Sequence, residues 1–110
     1  MRIDERVRRQ RFAEYEGYVG RAQGIESEIS DLLHGADFSY DLTTISNARD
    51  RIASLVEERK QVAEEAEDAQ SYLESINESP LYSVRTVQDF GWTDIRLEAA
   101  ERRTHEQERA

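Results

Sequence analysis

Glu57, Glu58, Glu65 and Asp68 are the residues best placed to do chemistry in this sequence, because Glu65 and Asp68 stand three apart in a strongly helical run and so share one helix face. Two carboxylates on one face can hold Mg²⁺, a hard cation that takes oxygen ligands. The run around them, "EERKQVAEEAED", also reads as a solvated face that pairs with nearby arginines, and this second reading is preferred. Asp31, His34 and Asp37 repeat at intervals of three around a predicted helix end, a spacing that could bind a metal weakly. A histidine in that position more simply complements the negative end of the helix dipole. His105 sits in a polar tail with no serine and carboxylate arranged around it as a triad. No cysteine is present, so thiolate ligands, disulfides and cysteine nucleophiles are excluded together. No catalytic residue, cofactor site or metal site is therefore assigned.

The acidic spacing has one counterpart among known families. Glu65 and Asp68 with Glu57-Glu58 upstream are similar to the pattern of all-α nucleotide pyrophosphohydrolases of the MazG type, although Gln61 stands where a third glutamate would be expected. The resemblance implies Mg²⁺-dependent nucleotide hydrolysis on these four acids, which is kept as the alternative function.

Residues that could bind a partner are more numerous. "YEGYVGRAQG" places Gly17, Gly20 and Gly24 in a segment whose apolar residues otherwise repeat as a helix. Each glycine weakens a helix by about 1 kcal/mol relative to alanine. At about 100° per residue the three cluster on a facet turned away from the apolar seam, where another element could pack close to the backbone. The expected neighbour is this chain's own segment around Phe90 and Trp92, or a second chain. "GYVG" has the form of a nucleic-acid clamp loop, but no strand precedes it and its flanks are acidic. Arg2, Arg6, Arg8, Arg9 and Arg11 form a basic cluster at the start of the sequence. Pairing with acidic residues of this chain or of a protein partner is preferred for it over nucleic acid.

The elements that must position these residues are helical. The chain has 110 residues, 37% hydrophobic and 35% charged, one proline and five glycines, a composition that predicts an all-α fold with one modest core or seam. From Ile45 to Ile76 two seven-residue series, Ile45, Ile52, Arg59, Ala66, Leu73 and Ala48, Leu55, Val62, Ala69, Ile76, make a heptad seam with Arg59 as its one charged member. A polar residue there either fixes register, sheltered against Tyr18 or Tyr15, or snorkels outward. A second seam runs through Tyr15, Tyr18, Ala22, Ile25, Ile29 and Leu32, widened by Phe12, Val19 and Leu33.

The predicted architecture is a single helical domain over 1–110. An antiparallel helical hairpin (1–78) has helices over about 4–34, ended by Gly35, and about 43–77, capped by Thr43 or Thr44. It is followed by a C-terminal segment (79–110). A turn centred near residue 38 would set Arg8, Arg9 and Arg11 beside Glu65, Glu67 and Asp68, and Arg49 and Arg51 near Glu28 and Glu26. Ser79-Pro80 and Gly91 suggest a short helix over Pro80–Phe90. The alternative is a β-hairpin at 81–98, from "YSVRTV" and "WTDIRL". Thr93 would cap a last helix whose polar end frays.

A net charge of −9 opposes generic binding to nucleic acid or anionic membrane. No apolar run is long enough for a membrane helix, and the charged N-terminus does not read as a signal peptide, so a cytoplasmic location is expected. Fourteen of the fifteen basic residues are arginine, a bias attributable to a GC-rich or salt-adapted source. The functional expectation is a non-enzymatic protein–protein interaction module, an acidic assembly factor, small chaperone or inhibitor that docks on a basic partner and forms a homodimer. Phage scaffolding and counter-defence proteins are similar in size and charge. Nucleic-acid binding through the N-terminal arginines is the remaining alternative.

Overall fold

The structure, a computed structural model, describes residues 3–109. Among them are three helices and no strand: α1 (Glu5–Asp37), α2 (Leu42–Ser75) and α3 (Gly91–Arg109). An aspartate opens each helix. Asp4 Oδ1 accepts from the backbone N–H of Arg6 at 2.9 Å, Asp41 Oδ1 from that of Thr43 at 3.1 Å, and Asp89 Oδ1 from that of Gly91 at 2.9 Å. Each satisfies a first-turn donor that the helix itself leaves without a partner. Thr43 and Thr44 therefore do not cap α2. They lie inside its first turn, with the Thr44 hydroxyl donating to Asp41 at 2.9 Å. Thr93 does not cap α3 either, because it is buried and its N–H and hydroxyl both donate to the Phe90 carbonyl.

The helix ends also depart from the sequence reading. Gly35 does not stop α1, and no glycine among the described residues takes a positive φ, so the helix continues to Asp37. A helical glycine costs only about 1 kcal/mol, which packing of the next turn through Ala36 can offset. At the end of α2 the left-handed residue is Asn77, with φ of 60°. The Glu78 N–H donates to the Leu73 carbonyl at 2.9 Å and the Asn77 N–H to Glu74 at 3.1 Å, the two bonds of a Schellman motif. The stop thus precedes Ser79-Pro80.

The chain forms two compact units. Unit 1 comprises Met1–Gly24 and Glu58–Val87. Its buried residues are Tyr15 and Ala22 of α1, a row on α2 that includes Arg59, Val62, Ala66, Gln70 and Leu73, and Val84 of the segment after α2. That segment is neither the short helix nor the β-hairpin that the sequence suggests. It is irregular from residue 76 to 90, and buried side chains hold its backbone. The Tyr15 hydroxyl donates to the Tyr82 carbonyl at 2.5 Å and accepts from the Val84 N–H at 3.0 Å. Gln70 Oε1 accepts from the Arg85 N–H at 3.0 Å while its amide nitrogen donates to Ser83 Oγ at 2.8 Å. Arg59, 1% exposed, donates to the carbonyls of Val84 at 2.8 Å and Thr86 at 3.2 Å.

Unit 2 comprises Ile25–Glu57 and Gln88–Ala110. Ile25, Ile29, Leu33 and Ala36 of α1, Ile45, Ala48, Ile52 and Leu55 of α2, and Leu97, Ala100 and Thr104 of α3 form its three-helix core. Near the polar end of α3, which runs to Arg109, Thr104 is fully buried, its hydroxyl donating to the Ala100 carbonyl at 2.8 Å.

Side-chain pairing obeys the antiparallel sense but not the expected register. In unit 1, Arg21 meets Glu65 and Arg8 meets Glu78, each at 2.8 Å and roughly two and a half turns further along the chain than expected. In unit 2, Arg51 meets Glu28 at 3.0 Å, two positions beyond the Glu26 expected beside it, while Arg49 pairs instead with Glu101 at 2.8 Å and Asp94 at 3.5 Å. The direction of the offset follows from side-chain lean. Long side chains tilt toward the N-terminus of their own helix, so across antiparallel helices their tips meet partners numbered higher than the backbone level implies.

Buried Arg59 yields a stability prediction. Arg59→Met keeps the apolar stem but leaves the Val84 and Thr86 carbonyls without their cationic donor, and a hydrogen bond to a charged group is worth about 1.5–3 kcal/mol. The variant should unfold about 3 kcal/mol more easily in urea, and an unchanged midpoint would show that the clamp carries no stability.

Candidate protein-binding surface

Of the four acids that could have held a metal, Glu65 is engaged by an arginine, as is its neighbour Glu67. Glu65 pairs with Arg21, and Glu67 accepts from Arg85 Nε at 2.6 Å and from the Ser71 hydroxyl at 2.9 Å. Those two hydrogen bonds, the arginine's first, hold the Glu67 carboxyl below its ordinary value of 4.5. Among the described residues, no group of three or more His, Cys, Asp or Glu side chains is arranged to hold a metal ion. Asp37 pairs with Arg96, and His34 stacks edge-on against Phe38 at 4.9 Å, so Asp31, His34 and Asp37 do not converge.

The residues expected to contact a partner are dispersed. Among the described residues, no side chain or backbone atom from elsewhere lies within 4 Å of a Cβ built on Gly17, Gly20 or Gly24, so Phe90 and Trp92 do not cover the glycine facet. Of the basic cluster, Arg2 lies outside the described residues. Arg8 is held by Glu78, whose hydrogen bond raises the guanidinium's pKa above its ordinary value. Arg11 pairs with Glu14 at 3.3 Å and lies 5.9 Å from the Tyr72 ring centroid. Arg6 and Arg9 are exposed, and neither side chain makes an ion pair with a described residue. Arg59 belongs to the clamp of unit 1. Phe90 is buried in unit 2, whereas Trp92, two positions on, is 37% exposed.

Trp92 leads to a surface whose other members sequence reasoning did not assemble. On α3, Trp92, Arg96, Ala99 and Arg103 follow one another at intervals of three or four, with Ile95 three positions after Trp92, and form one flank beside the buried row of Leu97 and Ala100. Arg96 lies over the Trp92 ring at 5.6 Å while pairing with Asp37 at the end of α1. Arg103 lies over the Tyr40 ring at 4.9 Å and donates to the carbonyls of Ala36 at 3.2 Å and Ser39 at 2.7 Å. It therefore adds a second donor to the Ala36 carbonyl, which also accepts from the Ser39 N–H at 3.2 Å, and supplies one to the Ser39 carbonyl just past the helix. Its Nε is buried without a partner, an unfavourable feature that the two carbonyl bonds outweigh. The apolar members remain in solvent: Phe38 is 73% exposed, Tyr40 58% and Ile95 69%. The available signal was an arginine one turn after the tryptophan and a second two turns further on, on a face without core residues.

Comparison with known protein families, with curated proteins and with solved structures finds no match. Among the described residues, no helix is long and apolar enough to cross a membrane.

Two measurements follow. Because Glu67 is depressed in the folded protein, its contribution to stability is complete above its unfolded value and disappears as pH falls through the lower folded one. Arg85→Met should move the Glu67 carboxyl midpoint up toward 4.5 in an NMR titration, and no movement would remove Arg85 as the cause. Arg103→Met should remove the guanidinium from the Ala36 and Ser39 carbonyls and accelerate amide exchange at residues 36–40 at least tenfold, the factor equivalent to about 1.4 kcal/mol of lost protection. Unchanged exchange there would show that Arg103 does not secure this end of α1.

Proposed function

We propose that the protein is a non-enzymatic interaction module, an acidic helical assembly factor, small chaperone or inhibitor, acting in the cytoplasm and binding a protein partner through the Phe38, Tyr40, Trp92 and Ile95 surface of unit 2. The observation that carries this reading is the exposure of four large apolar side chains together with arginines stacked over two of the rings. Trp, Tyr and Arg are the residue types that dominate binding energy at protein interfaces. Exposed apolar side chains gathered on one surface of a small soluble fold mark an interaction site. The surface is also preorganised. Arg96 and Arg103 each link α3 to the end of α1, so its members lose little freedom when a partner arrives.

The reading is tested by replacing Phe38 or Trp92 with a photo-crosslinking phenylalanine analogue in the full chain, expressed in its native host, with exposed Glu16 of unit 1 as the control position. Discrete protein adducts from Phe38 and Trp92, weakened by adding Ile95→Asp, are expected. Absence of adducts at both positions, or equal labelling from Glu16, would overturn it.

A further inference from the structure

Unit 2 also holds a groove of about 440 Å³ where the last turns of α1 run beside the first turns of α2. Ala36 and Ala48, both buried, make its floor, and half-buried Leu32 makes a wall. Small residues leave the space. A Cβ built on Gly35, which also lines the groove, meets no atom within 4 Å among the described residues, so no neighbour requires a glycine there. The volume falls in the range of about 300–1,000 Å³ found for small-molecule sites, which combine an apolar lining with a few polar groups.

The polar groups of the groove differ in how far they are already committed. Arg51, at one end, donates from Nε and Nη2 to the Glu28 carboxylate at 3.0 and 3.2 Å, so its charge is matched. Thr44 turns its hydroxyl hydrogen to Asp41 at 2.9 Å, which leaves its oxygen as an acceptor. Asp31 and Asn47 stand exposed at the rim, and neither side chain is paired with a described residue. The one uncompensated charge of the groove is therefore the Asp31 carboxylate. Its surroundings carry the same sign, because unit 2 has thirteen acidic residues against six arginines. A cleft of one sign draws counter-charge, so a cation is favoured here and an anion is repelled.

We infer that this groove binds a small organic cation, with a compact apolar body seated on Leu32, Ala36 and Ala48 and a protonated amine at the Asp31 carboxylate. Thr44 and Asn47 offer further acceptors from α2. The site shares no residue with the Phe38, Tyr40, Trp92 and Ile95 surface, so it goes beyond the protein-binding reading and stands or falls without it.

Protonated phenethylamine is the probe, titrated into the isotope-labelled full chain, with phenethyl alcohol and phenylacetate as its neutral and anionic counterparts. Amide shifts in NMR spectra should saturate at residues 31–36 and 44–51, with affinity falling from amine to alcohol to carboxylate. Asp31→Asn should weaken the amine about fivefold, the upper end for an exposed ion pair, and leave the alcohol unchanged. Glu98→Gln, the same change of charge on α3, should alter neither. Gly35→Leu should abolish binding of all three while raising the melting temperature, because it fills the groove and replaces a helical glycine. Equal affinity for the three compounds, a preference for phenylacetate, or no saturable shift at these residues would each overturn the inference, as would an Asp31→Asn variant that binds the amine as well as the wild type does. Shifts at the same residues on raising the protein concentration alone would assign the groove to a second copy of the chain and overturn it too.

Discussion

Backbone that leaves a helix must still hydrogen-bond, and between Ser75 and Gly91 the backbone finds no strand to pair with among the described residues. Side chains take that role. Tyr15, Gln70 and Arg59 between them engage the Tyr82, Val84 and Thr86 carbonyls and the Val84 and Arg85 N–H groups. Arg59 is the member on which the others depend. A guanidinium has only donors, so it can be buried only where acceptors are fixed in place, and the Val84 carbonyl is fixed because the Val84 N–H is itself bonded to Tyr15. Arginine and segment justify each other's burial, and Val84 enters the core of unit 1 as a result. Removing either partner leaves a buried polar group unmatched, which costs more than the pair gains when made.

This dependence marks how far the sequence could be read. The seam on α2 was legible because heptad spacing is a local, repeated signal: nine of its ten members are buried, and only Ile76, past the end of the helix, is not. The position of Arg59 in the seam was legible as well, since a charge on an apolar stripe is conspicuous. What it bonds to was not, because Val84 and Thr86 lie a full connector away and offer carbonyls, which every residue has. The short helix expected over Pro80–Phe90 failed for a related reason. Proline after serine is a good helix-start signal, but intrinsic preference is worth tenths of a kcal/mol per residue and yields to a clamp of several hydrogen bonds. Asp89 then supplied the cap that the reading had assigned to Thr93. Of the exposed aromatic surface, the sequence reading singled out only Trp92; Arg96 and Arg103 became members only when α3 packed beside the end of α1.

The arginine bias takes on mechanical meaning in this setting. Arg59 and Arg103 each bond two backbone carbonyls from one guanidinium, and Arg49 and Arg51 each present a two-pronged contact to a glutamate. A lysine carries its donors on one rotating point charge and cannot span two fixed acceptors in a plane while also lying over an aromatic ring, as Arg103 does with Tyr40. The composition of the source can explain why arginine is common in this chain. The acceptor geometry explains why several of these positions could not exchange it for lysine.

The glycines of α1 now pose a sharper energetic question. Gly17, Gly20 and Gly24 together cost the helix about 3 kcal/mol relative to alanine, and among the described residues nothing lies close enough to require the missing Cβ. The helix persists because Tyr15 and Ala22, on its other face, are buried in unit 1 and Tyr15 is tied to Tyr82 and Val84, so tertiary contacts override propensity there. Exposed glycines kept at that cost have no packing reason inside the protomer. They leave a smooth, side-chain-free strip on α1, continuous along its face with the turn that carries Arg6, and its bareness is set by the sequence alone.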